Sequence, residues 1–181
     1  MENIYLFILI ALVLLAFADL IVGVSNDAVN FLNSAIGSKV LSFKTLMIIA
    51  SIGVFVGCVY SSGMMEVARK GIFNPGEFLF NEIMIIFMAV MITDILILDL
   101  FNSWGLPTST TVSIVFELLG ASVAMALIKI GVDNGSFTDL ATYINTSKAT
   151  QIILGILLSV FVAFSIGAIV QWVSRLLLSY D

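Results

Sequence analysis

Apolar residues in this chain run on in stretches of about twenty, broken by short polar segments. The stretches cover residues 4–24, 46–62, 78–101, 112–130 and 152–178. An α-helix needs about 20 apolar residues to cross the hydrocarbon core of a bilayer. Each stretch therefore predicts a membrane-spanning helix, and the third and fifth are long enough to tilt or project. The connections differ in character. Residues 37–44 are few and carry Lys39 and Lys44, while 132–147 are polar. Residues 66–77 are mixed in charge and predict a surface helix ending at the turn Asn74-Pro75-Gly76. No long linker, low-complexity tract or internal repeat divides residues 1–181. The pattern predicts an all-α transmembrane fold of about five spans.

Composition strengthens that reading. Hydrophobic residues make up 61% of the chain and charged residues only 10%, against about 25% charged in an ordinary soluble domain. Lipid in place of water explains the deficit. The few, scattered Lys and Arg residues argue against nucleic-acid binding. There is no histidine, and the single cysteine, Cys58, lies in an apolar run where it serves as a small packing residue. Disulfide frameworks, Cys/His zinc sites and imidazole-dependent triads are thereby excluded. Asp94 and Asp99 form no recognisable catalytic motif and every lysine falls near a predicted helix end, so no enzyme is expected. The apolar run at the N-terminus lacks a basic n-region and a cleavage site, and predicts a retained helix. With five crossings Lys39, Lys44 and Arg175 fall on one side and Arg69, Lys70 and Lys148 on the other, so the positive-inside rule assigns no orientation.

Two polar clusters interrupt this apolar sequence. The first is Ser25-Asn26-Asp27 with Asn30, Asn33 and Ser34. An aspartate near the centre of a membrane helix costs about 2.5–3.5 kcal/mol on the insertion scale and calls for a partner or a wet cavity. Ser, Asn and Asp also cap helix N-termini, so the first helix is expected to break near residues 23–26 and restart at Asp27. The second cluster runs from Asn102 through Gly105, Leu106 and Pro107 to Thr108-Ser109-Thr110-Thr111. Glycine and proline end one helix there, and Ser109 or a neighbouring threonine caps the next. Ser109, Ser113 and Glu117 recur every four residues and share one helix face.

Helix N-termini opening within a membrane attract anions through free N–H groups and the positive end of the dipole. Transporters of several folds hold anionic substrates that way, with carboxylates and carbonyls holding a coupling cation. Asp27 would repel an anion, so a cation belongs beside it; Na+ and H+ both answer that need. Ser113 taken alone reads better as interhelical glue. The roles of Asp19, Asp94 and Asp99 stay open. Gly155, Ser159, Ala163 and Gly167 make a small-residue face suited to close packing, as do Gly53 and Gly57.

The same clusters resemble the inorganic phosphate transporter (PiT) family. Its G-A-N-D-x-A-N-x-x-G-T-S-V-G-S-K signature is matched by Asn26, Asp27, Asn30, Gly37, Ser38 and Lys39. Its G-L-P-x-S-T-T-H element is similar to the stretch from Gly105 to Thr111, and its E-x-x-R-K-G stretch to Glu66, Arg69, Lys70 and Gly71. The resemblance implies cation-coupled uptake of inorganic phosphate, with Na+ or H+ as the only cofactor-like requirement, on a fold of two inverted repeats. Asn26, Asp27, Ser109, Thr110 and Thr111 would bind substrate, and Asp27, Asn30 and Glu117 the coupling ion. Val112 stands where many members have His, Val54 where many have Glu, and Glu117 where a small residue is usual. An intramembrane acid moved from the second helix to the fourth would explain the last two.

The family carries its N-D signature twice and this chain carries it once. The expectation is an N-terminal repeat spanning 1–181, completed by a missing second half or a second copy in a multi-pass protein of the cell membrane. Truncation is the simplest account. An anion channel or sulfate-type transporter, and a non-transporting membrane subunit, are the competing functions.

Overall fold

The computed structural model describes residues 2–61, 71–133 and 135–179. Among these the regular structure is helical, save one isolated bridge between Phe73 and Ile144. The helices are α1 (Glu2–Ser38), α2 (Phe43–Tyr60), α3 (Phe80–Trp104), α4 (Thr110–Val132), a single turn α5 (Leu140–Tyr143) and α6 (Thr146–Leu178). Five of them, all but α5, are long and apolar enough to cross a membrane. The five expected spans are thus present, with α6 beginning six residues earlier than the apolar run alone indicated.

Residues 1–145 form one compact unit built on α1, α3 and α4. α1 and α3 run parallel in a constant register. Tyr5 meets Phe80, Gly23 lies against Leu98 and Asn26 meets Asn102, offsets of 75, 75 and 76 residues. α4 returns antiparallel to both, with Thr110 beside Asp27 at one end and Lys129 beside Glu82 at the other. Ile86, Val90 and Leu98 of α3 pack in the core with Val115, Leu118 and Ala126 of α4. Ser122, fully buried between them, returns its hydroxyl to Leu118 O at 2.6 Å, so no polar group is stranded there.

The Lys129 end is closed by a small ordered platform. Lys129 Nζ donates to Glu82 Oε2 and to Glu77 O, both at 2.9 Å, and lies over the rings of Phe78 and Tyr143. Glu82 also accepts from Leu79 N at 2.7 Å, fixing the start of α3. The expected surface helix over 66–77 lies outside the described residues as far as Lys70. Beyond it, Ile72 and Phe73 are buried, and the segment is tied to residues 143–145 by Asn74 N donating to Tyr143 O and Asn145 N to Ile72 O. A short 3-10 turn, Pro75–Glu77, then leads into α3.

α2 is capped by Ser42, whose hydroxyl accepts from Thr45 N, and of its residues only Leu46 is buried. A side chain at Gly53 or Gly57 would meet nothing within 4 Å, so their small-residue face is not used against this unit. The outward residues of these helices are large and apolar: Phe7, Phe17, Phe55 and Phe80 all stand exposed, as lipid-facing side chains do.

The second unit, residues 146–181, holds α6. Its 33 residues extend about 50 Å at 1.5 Å per residue, beyond the ~30 Å hydrocarbon core. Thr150, Ser159 and Ser165 return their hydroxyls to carbonyls of their own helix, which lets them sit in an apolar span at little cost.

Candidate functional site

The turn from α3 to α4 is built by its glycine and proline. Gly105 takes a left-handed conformation, φ 67°, that an L side chain rarely adopts. Gly105 N donates to Asn102 O at 3.1 Å and Leu106 N to Phe101 O at 2.9 Å, the paired bonds of a Schellman ending. Pro107 then holds the chain extended, and Ser109 caps α4 by accepting from Val112 N at 3.4 Å. The expected break is therefore real. Since α3 and α4 each span a membrane by length, it lies where two spans meet, not partway along one.

The expected break in α1 does not form. The helix runs unbroken from Glu2 to Ser38, so the site has one fresh helix N-terminus where two were anticipated. The physical reason lies in the hydrogen bonds that the cap-forming residues make instead. Ser25 Oγ donates to Ile21 O within its own helix at 2.7 Å, while Asn26, Asp27 and Asn30 turn to the α3–α4 turn. With no proline to remove a backbone donor, the α1 ladder survives.

Asn26 sits at the centre, 2% exposed. Its Nδ2 donates to Asn102 Oδ1 at 2.7 Å, and its Oδ1 accepts from Thr108 N at 3.2 Å. Asn30 Nδ2 donates to Thr108 O at 3.1 Å, so α1 grips both polar groups of that peptide residue. Asn102 Nδ2 completes the clasp by donating to Val22 O at 3.5 Å. One position further, Thr110 Oγ1 donates to Asp27 Oδ2 at 2.9 Å. Gly23 lies beside this contact, where a methyl group would meet Leu98 and Thr110 at an ordinary 3.8 Å. A cavity of about 90 Å³ lies beside the clasp, lined by Asn26, Asn102, Gly105, Leu106 and Pro107, room for a few water molecules at ~30 Å³ each.

The two sequence clusters are thus in direct contact. Asn26, Asp27, Asn30 and Thr110 converge on one notch, and Ser109 lies next to it in the chain with its hydroxyl on Val112 N. Thr111 lies exposed on the first turn of α4 and makes no side-chain bond among the described residues. Glu117 is not part of the notch; it lies seven residues further along α4, accepting from Ser113 Oγ at 2.7 Å. Asn102 was missed as a site residue, although its place before a Gly-x-Pro ending was visible. At the α4 terminus Ser109 caps Val112 N, which leaves the N–H groups of Thr110 and Thr111 as the orphan donors of the first turn. Donors and hydroxyls here face outward beside one carboxylate, an arrangement able to hold an anion and a cation together.

Five helices long and apolar enough to cross a bilayer make this an integral membrane protein. The phosphate transporter family model matches residues 23–180, and the chain belongs to that family. It is similar to proteins bearing the name "Putative phosphate permease" from three organisms. That of Thermococcus kodakarensis is 28% identical over 137 residues, covering 75% of this chain and 30% of the relative. That of Pyrococcus furiosus is 30% identical over 118 residues, covering 64% and 29%. That of Helicobacter pylori is 30% identical over 105 residues, covering 56% and 20%. The match therefore spans less than a third of the length of these curated relatives. No solved structure matches the chain significantly.

Proposed function

We propose that this chain is one repeat of a cation-coupled symporter of inorganic phosphate in the cell membrane, with the notch as its substrate end. The Thr110–Asp27 bond carries the reading, since it sets the family's N-D signature against the hydroxyl-rich N-terminus of α4. In this reading phosphate accepts hydrogen bonds from the N–H groups of Thr110 and Thr111 and from the Thr111 hydroxyl, with Ser109 and Asn26 beside them, while the Thr110 hydroxyl stays on Asp27. Asp27 and Asn30 hold the coupling cation, Na+ or H+, which offsets the repulsion between carboxylate and phosphate. Ser109, Thr111, Asn30 and Asn102 remain exposed, which fits a pocket closed by an inverted second repeat, supplied by the missing second half of the transporter or by a second copy.

Uptake of radiolabelled phosphate into proteoliposomes, with and without imposed Na+ and H+ gradients, tests the reading. Accumulation against a phosphate gradient is expected, inhibited by arsenate and indifferent to sulfate. Asp27→Asn should lower it about 10- to 100-fold, since a hydrogen bond to a charged group is worth ~1.5–3 kcal/mol. Passive, gradient-independent flux, or full uptake by Asp27→Asn, would remove the proposal.

A further inference from the structure

The notch leaves three ionisable side chains unused, and they face one another. Asp19 of α1, Asp94 of α3 and Glu117 of α4 form a second polar layer in which Asp94 comes within hydrogen-bonding reach of both the others. Asp19 precedes Asp27 by eight residues, Asp94 precedes Asn102 by eight, and Glu117 follows Thr110 by seven. At 1.5 Å per residue this layer lies about 10–12 Å from the notch, near the middle of α3. Asp94 is 2% exposed, and Asp19 and Glu117 are half-buried.

The hydrogen-bond pattern of this layer is incomplete in a specific way. Among the described residues, the buried side-chain oxygens without a partner are Asp19 Oδ1, Asp94 Oδ1 and Glu117 Oε2, one from each acid. Ser113 Oγ, bonded to Glu117 Oε1, is the donor that reaches the layer. The elements packed around it bring no cation: α1 contributes Asp19 with Asp27 two turns away, α3 Asp94 with the exposed Asp99, and α4 Glu117. Lys129 is twelve residues along α4 and already held by Glu82. An ionised carboxylate can only accept hydrogen bonds. Three of them facing one another, mostly out of water, repel without compensation. A proton on one turns an acceptor into a donor and supplies the missing partner. Among the described residues, no group of three or more acids is arranged to hold a metal ion.

We propose that Asp19, Asp94 and Glu117 form a proton-binding site, with Asp94 linked through shared O–H···O hydrogen bonds to the carboxyls on either side. The proton comes from water, an O–H bond forms on one carboxylate oxygen, and no electron changes hands. The site is distinct from the notch and does not depend on phosphate being the transported solute.

Infrared difference spectroscopy of the full chain in lipid bilayers tests this directly. The wild type should show a protonated-carboxyl C=O band at neutral pH, sensitive to H/D exchange. Asp94→Asn should abolish that band, and Glu117→Gln and Asp19→Asn should each shift and weaken it. Asp27→Asn should leave it in place, which separates this site from the notch: loss of transport with the band intact bears on the proposed function alone. If Asp94→Asn does not fold, the two flanking variants carry the test, and an unchanged band in both overturns the proposal. Absence of the band in the folded wild type overturns it as well. So does a shift of carboxylate bands in the Asp27→Asn variant when sodium replaces choline, because with the notch carboxylate removed the sodium would occupy the layer.

Discussion

The two ends of the α3–α4 pair treat charge in opposite ways. At one end Lys129 meets a carboxylate, a backbone carbonyl and two aromatic faces, and each charge has a nearby partner. At the other end, and in the layer between, Asp27, Asp94, Asp19 and Glu117 meet hydroxyls, an amide-rich clasp and each other. A paired charge locks a helix end. Acids without a cation leave a binding deficit that a solute or ion can fill. In the proposed reading, stability and function divide along the length of the same two helices.

Lys129→Met tests that division most severely. It strands the Glu82 carboxylate, which is only 15% exposed, and removes two charge-assisted bonds, for an expected loss of about 3 kcal/mol. Thermal unfolding in detergent should show the fall, and Glu82→Gln added to it should restore part. Solute affinity in the surviving folded fraction should be unchanged; a changed affinity would mean the two ends are coupled.

Asn26→Ala should cost less, about 1–3 kcal/mol, from two lost hydrogen bonds at a buried position. Unlike Lys129→Met it should also lower uptake, because Thr108 and hence the first turn of α4 lose their anchor. Ser109→Ala removes a helix cap and should destabilise by about 1 kcal/mol in the same melt. Gly23→Ala is the smallest change. Its methyl group meets Leu98 and Thr110 at ordinary contact distance, so the helix propensity gain of about 0.5–1 kcal/mol should appear as a slight stabilisation. A marked loss would show that the α1–α4 approach is tighter than the structure has it.

Much of the fold was legible because lipid imposes a simple rule: length and apolarity alone define the spans. The α3–α4 turn was legible too, since Gly105 and Pro107 leave a helix few alternatives. The α1 break was misjudged because Ser25, Asn26 and Asp27 have two uses, capping a new helix or reaching across to a neighbour. Sequence cannot tell these apart when no proline forces the issue. The four-residue spacing put Ser113 and Glu117 on one face, but Ser113, read as interhelical glue, bonds Glu117 of its own helix at 2.7 Å. What it could not show was that Asp94 and Asp19 would join them. That meeting depends on the parallel register of α1 and α3, a tertiary offset of 75 residues with no local signature.

Because α1 and α3 run in the same direction, Tyr5 and Phe80 lie at one end of the unit and Ser103 at the other. Sidedness is consequently a single binary quantity for the whole unit. A membrane-impermeant maleimide, applied to sealed vesicles of Ser103→Cys in a Cys58→Ala background, labels either from outside or not at all. That one observation tells which compartment the notch faces and, by inversion, on which side the amino terminus resides.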